Sequence, residues 1–112
     1  MTTTPVFLLG LKAKLFRGLA DPSRLAIVLA LRAGEKTVSQ LVAETGLSQP
    51  NTSAHLACLR DCGIVRSRQQ GRYVFYALAC DEFHAILDAA DTLIDRLGDP
   101  IAACPRYTRD NS

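Results

Sequence analysis

Two short helical segments joined through a glycine-containing turn, a switch to β-branched and aromatic residues just after them, and a long amphipathic stretch near each end predict the fold class. That class is mainly α with a β-hairpin wing: a winged helix-turn-helix with extra N- and C-terminal dimerisation helices. A length of 112 residues suits one domain with a single modest core. The balance of 48% hydrophobic and 21% charged residues is that of a folded, water-soluble chain. No stretch approaches the roughly 18 apolar residues of a membrane span, so no membrane partner is expected. The early segment PVFLLGL lacks a preceding basic region and a small-residue cleavage site, and it does not read as a signal peptide. A cytoplasmic location follows as the expectation. Thiols stay reduced there, so four cysteines point to metal or redox chemistry more than to a disulfide framework.

In order along the chain, VFLLGLKAKLFRGLA places Leu8, Leu11, Leu15, Phe16 and Leu19 on one broad helical face. DPSRLAIVLALRAG opens with Asp21 as N-cap and Pro22 at the first helical position, and it closes at Gly34. It is apolar almost all round, as a central core helix should be. Thr37 and Gln40 give TVSQLVAETG a capping box, and Gly46 stops it. Ser48 then caps QPNTSAHLACLRDCG, which tolerates Pro50 in its first turn and ends at Gly63. The segments IVRSRQ and RYVFYAL, turned by QGR, read as a hairpin.

Asp81 is the expected cap of a last helix whose stripe is Phe83, Ile86, Leu87, Ala90, Leu93, Ile94 and Leu97. Gly98 and Pro100 are expected to end it. This leaves 1–98 as the DNA-binding and dimerisation domain and 99–112 as a flexible C-terminal tail. The first and last helices carry more apolar surface than a core of this size needs. Leu8, Leu11, Leu15, Leu93 and Leu97 are therefore expected in a homodimer interface; the alternative is that both helices only complete the monomer core.

Charge is unevenly placed although the net value is only +2. Between Gly46 and Cys80 lie Arg60, Arg66, Arg68 and Arg72 against the single acid Asp61. Between Asp81 and Asp99, Asp81, Glu82, Asp88, Asp91, Asp95 and Asp99 stand against Arg96 alone. A basic middle and an acidic end fit a protein that turns one face to a polyanion; two ordinary solvated faces are the bland alternative. The N-terminal half of the second helix of a helix-turn-helix enters the major groove. Here that half offers Ser48, Gln49, Asn51, Thr52, Ser53 and His55, side chains able to bond base edges or phosphates. The hairpin adds Arg66, Arg68, Gln70 and Arg72 for phosphate or minor-groove contact. The expected partner is double-stranded DNA.

The segments LADPSRLAIVLAL, TVSQLVAETGLSQPNTSAHLACLRDCGIV and GRYVFYAL together resemble the ArsR/SmtB family of metal-responsive bacterial repressors, across roughly residues 10 to 97. The most specific parts are LSQPNTSAHLACLRDCGIV and GRYVFYAL. The resemblance implies a homodimer that binds an inverted-repeat operator and releases it when metal binds. It also implies that Ser48 to His55 lie on the recognition helix and Arg66 to Arg72 on the wing.

Cys58 and Cys62 stand four apart, a spacing that brings helical side chains within about 5–6 Å. From the residues alone, core packing and metal capture both explain such a pair. Its helical spacing makes it a poor disulfide. The family resemblance sorts the remaining choices. An arsenic-sensing member carries a cysteine pair in the first helix of the motif, where TVSQLVAETG has none. A zinc-sensing member carries Asp/His pairs on the last helix, which here holds only His84 with acids at other spacings. A cadmium sensor with an N-terminal cysteine arm needs a thiol before Cys58. The CmtR-like cadmium/lead-sensing branch, with two cysteines late in the recognition helix and one in the tail, matches Cys58, Cys62 and Cys104. Three thiolates form a soft, low-coordinate set suited to Cd(II) or Pb(II), with Hg(II) or Zn(II) as further candidate inducers and no organic cofactor.

Cys80 is expected to be structural, with a fourth-ligand role in reserve. One rival keeps the fold and makes the thiols a redox or persulfide switch. A second is a metal-blind winged helix that binds a partner. A third, an enzyme with a Cys/His site, lacks any recognisable arrangement of cysteine, histidine and orienting acid.

Overall fold

The computed structural model describes residues 5–105, ordered α1 (Val6–Ala20), α2 (Pro22–Ala30), α3 (Val38–Thr45), α4 (Gln49–Asp61), β1 (Val65–Gln70), β2 (Tyr73–Leu78) and α5 (Glu82–Ala103). The chain divides between Ala79 and Cys80 into two compact units. The winged helix-turn-helix expected from sequence is the architecture observed: helices with one antiparallel hairpin placed after α4.

Asp21 and Arg24 build the corner between the first two helices. The Asp21 carboxylate accepts from the Arg24 backbone N–H at 3.0 Å, which satisfies one of the orphan donors at the start of α2. The Arg24 side chain turns back and donates from Nε to the Gly18 carbonyl at 2.8 Å and from Nη2 to the Arg17 carbonyl at 3.1 Å. One residue thus serves two helix ends, and its cation meets the negative end of α1. Gly18 allows a close approach at this corner, since a Cβ there would stand 2.9 Å from Ile64 Cδ1. The helical run after Pro22 does not stay α-helical up to Gly34; it tightens into a 3-10 turn over Leu31–Ala33.

The capping box is formed as expected. Thr37 Oγ1 accepts from the Gln40 N–H at 3.2 Å, and Gln40 Oε1 accepts from the Thr37 N–H at 2.8 Å. Gly46 ends α3 in the left-handed region, at φ 77°. Ser48 then starts α4, its Oγ accepting from the Asn51 N–H at 3.2 Å. Helices α2, α3 and α4 touch pairwise around Ile27, Val28, Leu41, Leu56 and Leu59, all with 0% exposure.

The hairpin pairs Val65 with Leu78 at its root and Gln70 with Tyr73 at its tip. Its two-residue turn puts Gly71 at φ 62°, where a side chain would be strained. Lys36 fixes the outer edge of β2 by exchanging two backbone hydrogen bonds with Tyr76, at 2.9 and 2.8 Å.

Two expectations about α5 need correction. Asp81 does not cap it through its side chain. Its backbone is helical (φ −70°, ψ −21°), whereas a capping side chain swings onto the helix from an extended N-cap. The Asp81 carbonyl instead accepts from the His84 N–H at 3.0 Å. The helix also does not stop at Gly98 but continues through Pro100 to Ala103. Proline here forfeits one hydrogen bond in the last turn, and the favourable helix formers Ala102 and Ala103 follow it. The expected tail boundary therefore falls inside α5, and the tail from residue 106 onward lies outside the described residues.

The Asp21 carboxyl is held below its ordinary range, chiefly by the Arg24 N–H, which outweighs the cost of burial with lesser help from the charges of Arg24 and His55. Asp21→Ala should destabilise the protein by about 0.5–2 kcal/mol in urea unfolding at neutral pH. A carboxylate depressed on folding contributes fully above its unfolded pKa of about 3.9, and that contribution is lost as pH falls through the lower native value. The difference between wild type and variant should accordingly shrink in acid below about pH 4.

Candidate nucleic-acid interface and thiol site

Helix α4 carries different chemistry on different faces. Thr52, Leu56 and Leu59, at i, i+4 and i+7, point into the core. Thr52 was expected among the DNA-contacting residues, and this is corrected: it is 0% exposed, and its hydroxyl donates to the Ser48 carbonyl at 2.8 Å. Its place on the core face leaves it no path to a base edge. Gln49, Asn51 and Ser53 are exposed and His55 is half-buried. Ser48 is exposed too, with its hydroxyl engaged as the cap. A polar helix start on a rigid core is what a major-groove reader needs.

On the wing, strand alternation puts Arg66, Arg68 and Gln70 on one face, opposite Ala77, Phe75 and Tyr73 respectively. The Arg68 guanidinium lies 4.8 Å over the Phe75 ring, and the Arg72 guanidinium lies 5.7 Å from the Tyr73 ring centre. Arg68 Nε donates to Glu35 Oε2 at 2.9 Å, its Nη2 contacts Glu35 Oε1, and its Nη1 donates to Gln70 Oε1 at 2.6 Å. The hydrogen bond from Arg68 lowers the Glu35 carboxyl below its ordinary range, helped by the charges of Arg68 and Arg66 and opposed by desolvation. Glu35, Arg66, Arg68 and Phe75 line a hollow of about 310 Å³.

Cys58 and Cys62 are both free and exposed, which removes core packing as the reason for the pair. The Cys62 N–H donates to the Cys58 carbonyl at 3.0 Å, so the two stand one helical turn apart. Both line a cavity of about 180 Å³ with Lys14, Arg17, Gly18 and Arg24. Cys62 also borders a hollow of about 300 Å³ with Leu11, Lys14, Leu15, Asp61 and Ile64. Asn51, His55, Cys58 and Cys62 follow one another at i, i+4, i+7 and i+11, a single stripe running from the first turn of α4 to its C-terminus.

Two accessible sulfurs at this spacing fit a soft ion as part of a ligand set. Among the described residues of one chain, no group of three or more His, Cys, Asp or Glu side chains is gathered to hold a metal. Cys104 caps the end of α5 and is partly exposed. Cys80, expected to be structural, is exposed and so does not serve by packing. His84 is partly buried within α5.

Sequence reasoning missed two features. Lys14, Arg17 and Arg24 surround the thiols, yet they are separated from Cys58 by more than thirty residues of chain. Glu35 sits in a loop whose proximity to Arg68 depends on the Lys36–Tyr76 pairing. No linear motif signals either one.

A helix-turn-helix with an exposed polar helix start and an arginine-bearing wing defines a DNA-binding regulator rather than an enzyme. Comparison with known proteins agrees and narrows the class. The family model described as "Bacterial regulatory protein, arsR family" matches residues 21–67. The solved NMR structure of the cadmium metal-sensor CmtR from Mycobacterium tuberculosis superposes with a TM-score of 0.61 at 45% identity, covering 69% of this chain and 80% of that one. This chain belongs to the ArsR family of bacterial transcriptional regulators.

In sequence, the chain is 51% identical over 67 residues to the HTH-type transcriptional regulator CmtR of M. tuberculosis, covering 60% of this chain and 57% of that protein. It is 44% identical over 66 residues to a probable mercury resistance operon repressor of Streptomyces lividans, covering 59% of this chain and 53% of that protein. The matched region thus spans little more than half the length of these curated relatives. A homodimeric winged helix-turn-helix DNA-binding domain from Mycobacterium bovis superposes with a TM-score of 0.73 at 26% identity, covering 85% of this chain and 91% of that one. No helix among the described residues is long and apolar enough to cross a membrane.

The residues expected to meet DNA should separate by role. Gln49→Ala should relax sequence preference, whereas Arg72→Ala should weaken operator and random duplexes alike and reduce the salt slope by about 1. Thr52→Val should alter stability and leave sequence preference unchanged. Binding titrations on operator and scrambled DNA check all three, and a preference altered by Thr52→Val would return that residue to the interface.

Proposed function

We propose that this protein is a homodimeric, metal-sensing transcriptional repressor whose operator is released when Cd(II) or Pb(II) is held by cysteine thiolates. The observation that carries this reading is the exposed Cys58–Cys62 pair, which shares one stripe of α4 with Asn51 and His55. Gln49, Asn51, Ser53 and His55 meet base edges, and Arg66, Arg68 and Arg72 meet phosphates on an inverted-repeat operator. Cys58, Cys62 and Cys104 would hold the ion, which supplies a soft, thiophilic centre of positive charge. Bringing a sulfur from the end of α5 to the end of α4 biases the two recognition helices away from the roughly 34 Å spacing of successive major grooves. A coupling of about 1–3 kcal/mol would weaken operator binding some 5- to 150-fold. The relatives named for cadmium and mercury support a thiophilic inducer, and Hg(II) and Zn(II) are the competitors to test beside Cd(II) and Pb(II).

The dimer rests on α1 and α5. Leu8, Leu11, Leu93 and Leu97 are 44–53% exposed in the single chain, and Leu15 is partly exposed, so both helices offer apolar surface to a second copy. Leu93→Glu would set like charges across a two-fold seam and should yield monomer in sedimentation with loss of operator affinity. An unchanged dimer would take α5 out of the interface.

Titrating the reduced protein with Cd(II), while following thiolate-to-metal absorption and operator release together, tests the sensing step. Cys104→Ser should keep operator binding, reduce the Cd–S absorption to about two-thirds and blunt release. A variant that absorbs and responds like wild type would exclude Cys104, and Cys80 would be tested next. Release by an oxidant or persulfide donor in the absence of metal would favour a thiol-redox switch instead. Mixing a Cys58→Ser/Cys62→Ser chain with a Cys104→Ser chain would restore one complete site only if the third thiolate comes from the partner subunit.

A further inference from the structure

The wing meets an anion from outside the hairpin, Glu35. Arg68 is the wing cation whose guanidinium is most fully engaged within the chain: its Nε and Nη2 meet the two oxygens of Glu35, and its Nη1 meets Gln70. Phe75 lies against one face of the same group, at 4.8 Å. This is the two-pronged geometry by which a guanidinium grips a phosphate, with the carboxylate standing in the phosphate's place. Glu35 is not there by chance rotation of a long side chain alone. Its neighbour Lys36 is bound to Tyr76 by backbone hydrogen bonds in both directions, which fixes the loop beside the wing one residue from the carboxylate.

The pair is solvent-exposed, with 49% and 38% of the two side chains open to water. An exposed pair is weak enough to be exchanged and strong enough to be felt. A duplex phosphate brought to the wing therefore meets an arginine already carrying a counter-charge.

We propose that Glu35 is a built-in competitor for Arg68, which its carboxylate holds until a DNA phosphate displaces it. The proposal rests on the reading that the wing meets DNA. Under it, Arg68 trades one anion for another on binding, so its contact adds little to counterion release. Glu35 thereby lowers affinity for every sequence, operator and random alike, and makes binding less sensitive to salt than the number of wing arginines implies.

The test compares wild type, Glu35→Gln, Arg68→Ala and the double variant. Affinity for operator and random duplexes is measured between about 50 and 200 mM salt. Glu35→Gln should bind both duplexes about two- to fivefold more tightly, the range an exposed ion pair spans, with a salt slope steeper by about 0.9. In the Arg68→Ala background the same change should have no effect on the slope and little on affinity. An equal gain in both backgrounds would overturn the proposal, because Glu35 would then act only as a negative charge near DNA. A loss of affinity in Glu35→Gln would overturn it in the opposite sense, since Glu35 would then orient Arg68 for the phosphate. If Arg68→Ala and Arg72→Ala both leave binding unchanged, the wing is not a DNA contact and the proposal falls with that reading.

Discussion

The pose of the recognition helix depends on a small apolar nucleus where α2, α3 and α4 meet. Ile27, Val28, Leu41, Leu56 and Leu59 are completely buried there. Each contributes about 1.5–3 kcal/mol by leaving water, and a truncation would open a cavity that close-packed neighbours fill only in part. Thr52 belongs to the same nucleus because its hydroxyl bonds the helix's own Ser48 carbonyl and demands nothing from outside. That buried face fixes how α4 sits on the core, with Gln49 at its start and Cys62 at its C-cap.

The corner between α1 and α2 joins that nucleus to the N-terminal helix. Arg24 ties the two together through the Gly18 and Arg17 carbonyls, and Gly18 lets α1 come down onto Ile64. Lys14, Arg17 and Gly18 consequently form a wall of the cavity that holds the thiols. The outer surface of α1 leaves Phe7 73%, Leu9 58% and Phe16 58% exposed, and α5 leaves Ile94 57% exposed. Single exposed apolar residues are ordinary, but continuous rows of them on helices mark surfaces that associate. The thiol cavity thus takes part of its wall from α1, the helix that also carries this exposed apolar surface.

The wing works by electrostatics more than by packing. Only its root is buried, through Val65 and Leu78, and its arginines lie over aromatic rings near the tip. Such stacking favours an extended pose for a long cation. Glu35 tempers one of those cations from outside the hairpin, through a loop anchored on β2.

Local chemistry is what the sequence by itself determined. The Thr37–Gln40 box, the Asp21 and Ser48 caps, the Gly46 stop and the turn at Gly71 are short-range devices, and each stands where its residues predict. Apolar periodicity likewise announced α1, the core helices and the hairpin, and with them the fold class. The reading failed where a neighbour or backbone angle outside the pattern decides. Thr52 looks like a DNA contact until helical phase sets it beside Leu56 and Leu59; Asp81 looks like a cap until its backbone turns helical. Gly98 and Pro100 read as a stop, yet they disfavour a helix without forbidding one, and α5 continues to Ala103. Only the tertiary structure could bring Lys14, Arg17 and Arg24 around the thiols, or Glu35 onto Arg68. Those groups are distant along the chain and meet only because the packed core and the Lys36–Tyr76 pairing bring their backbones together, which no spacing in the sequence encodes.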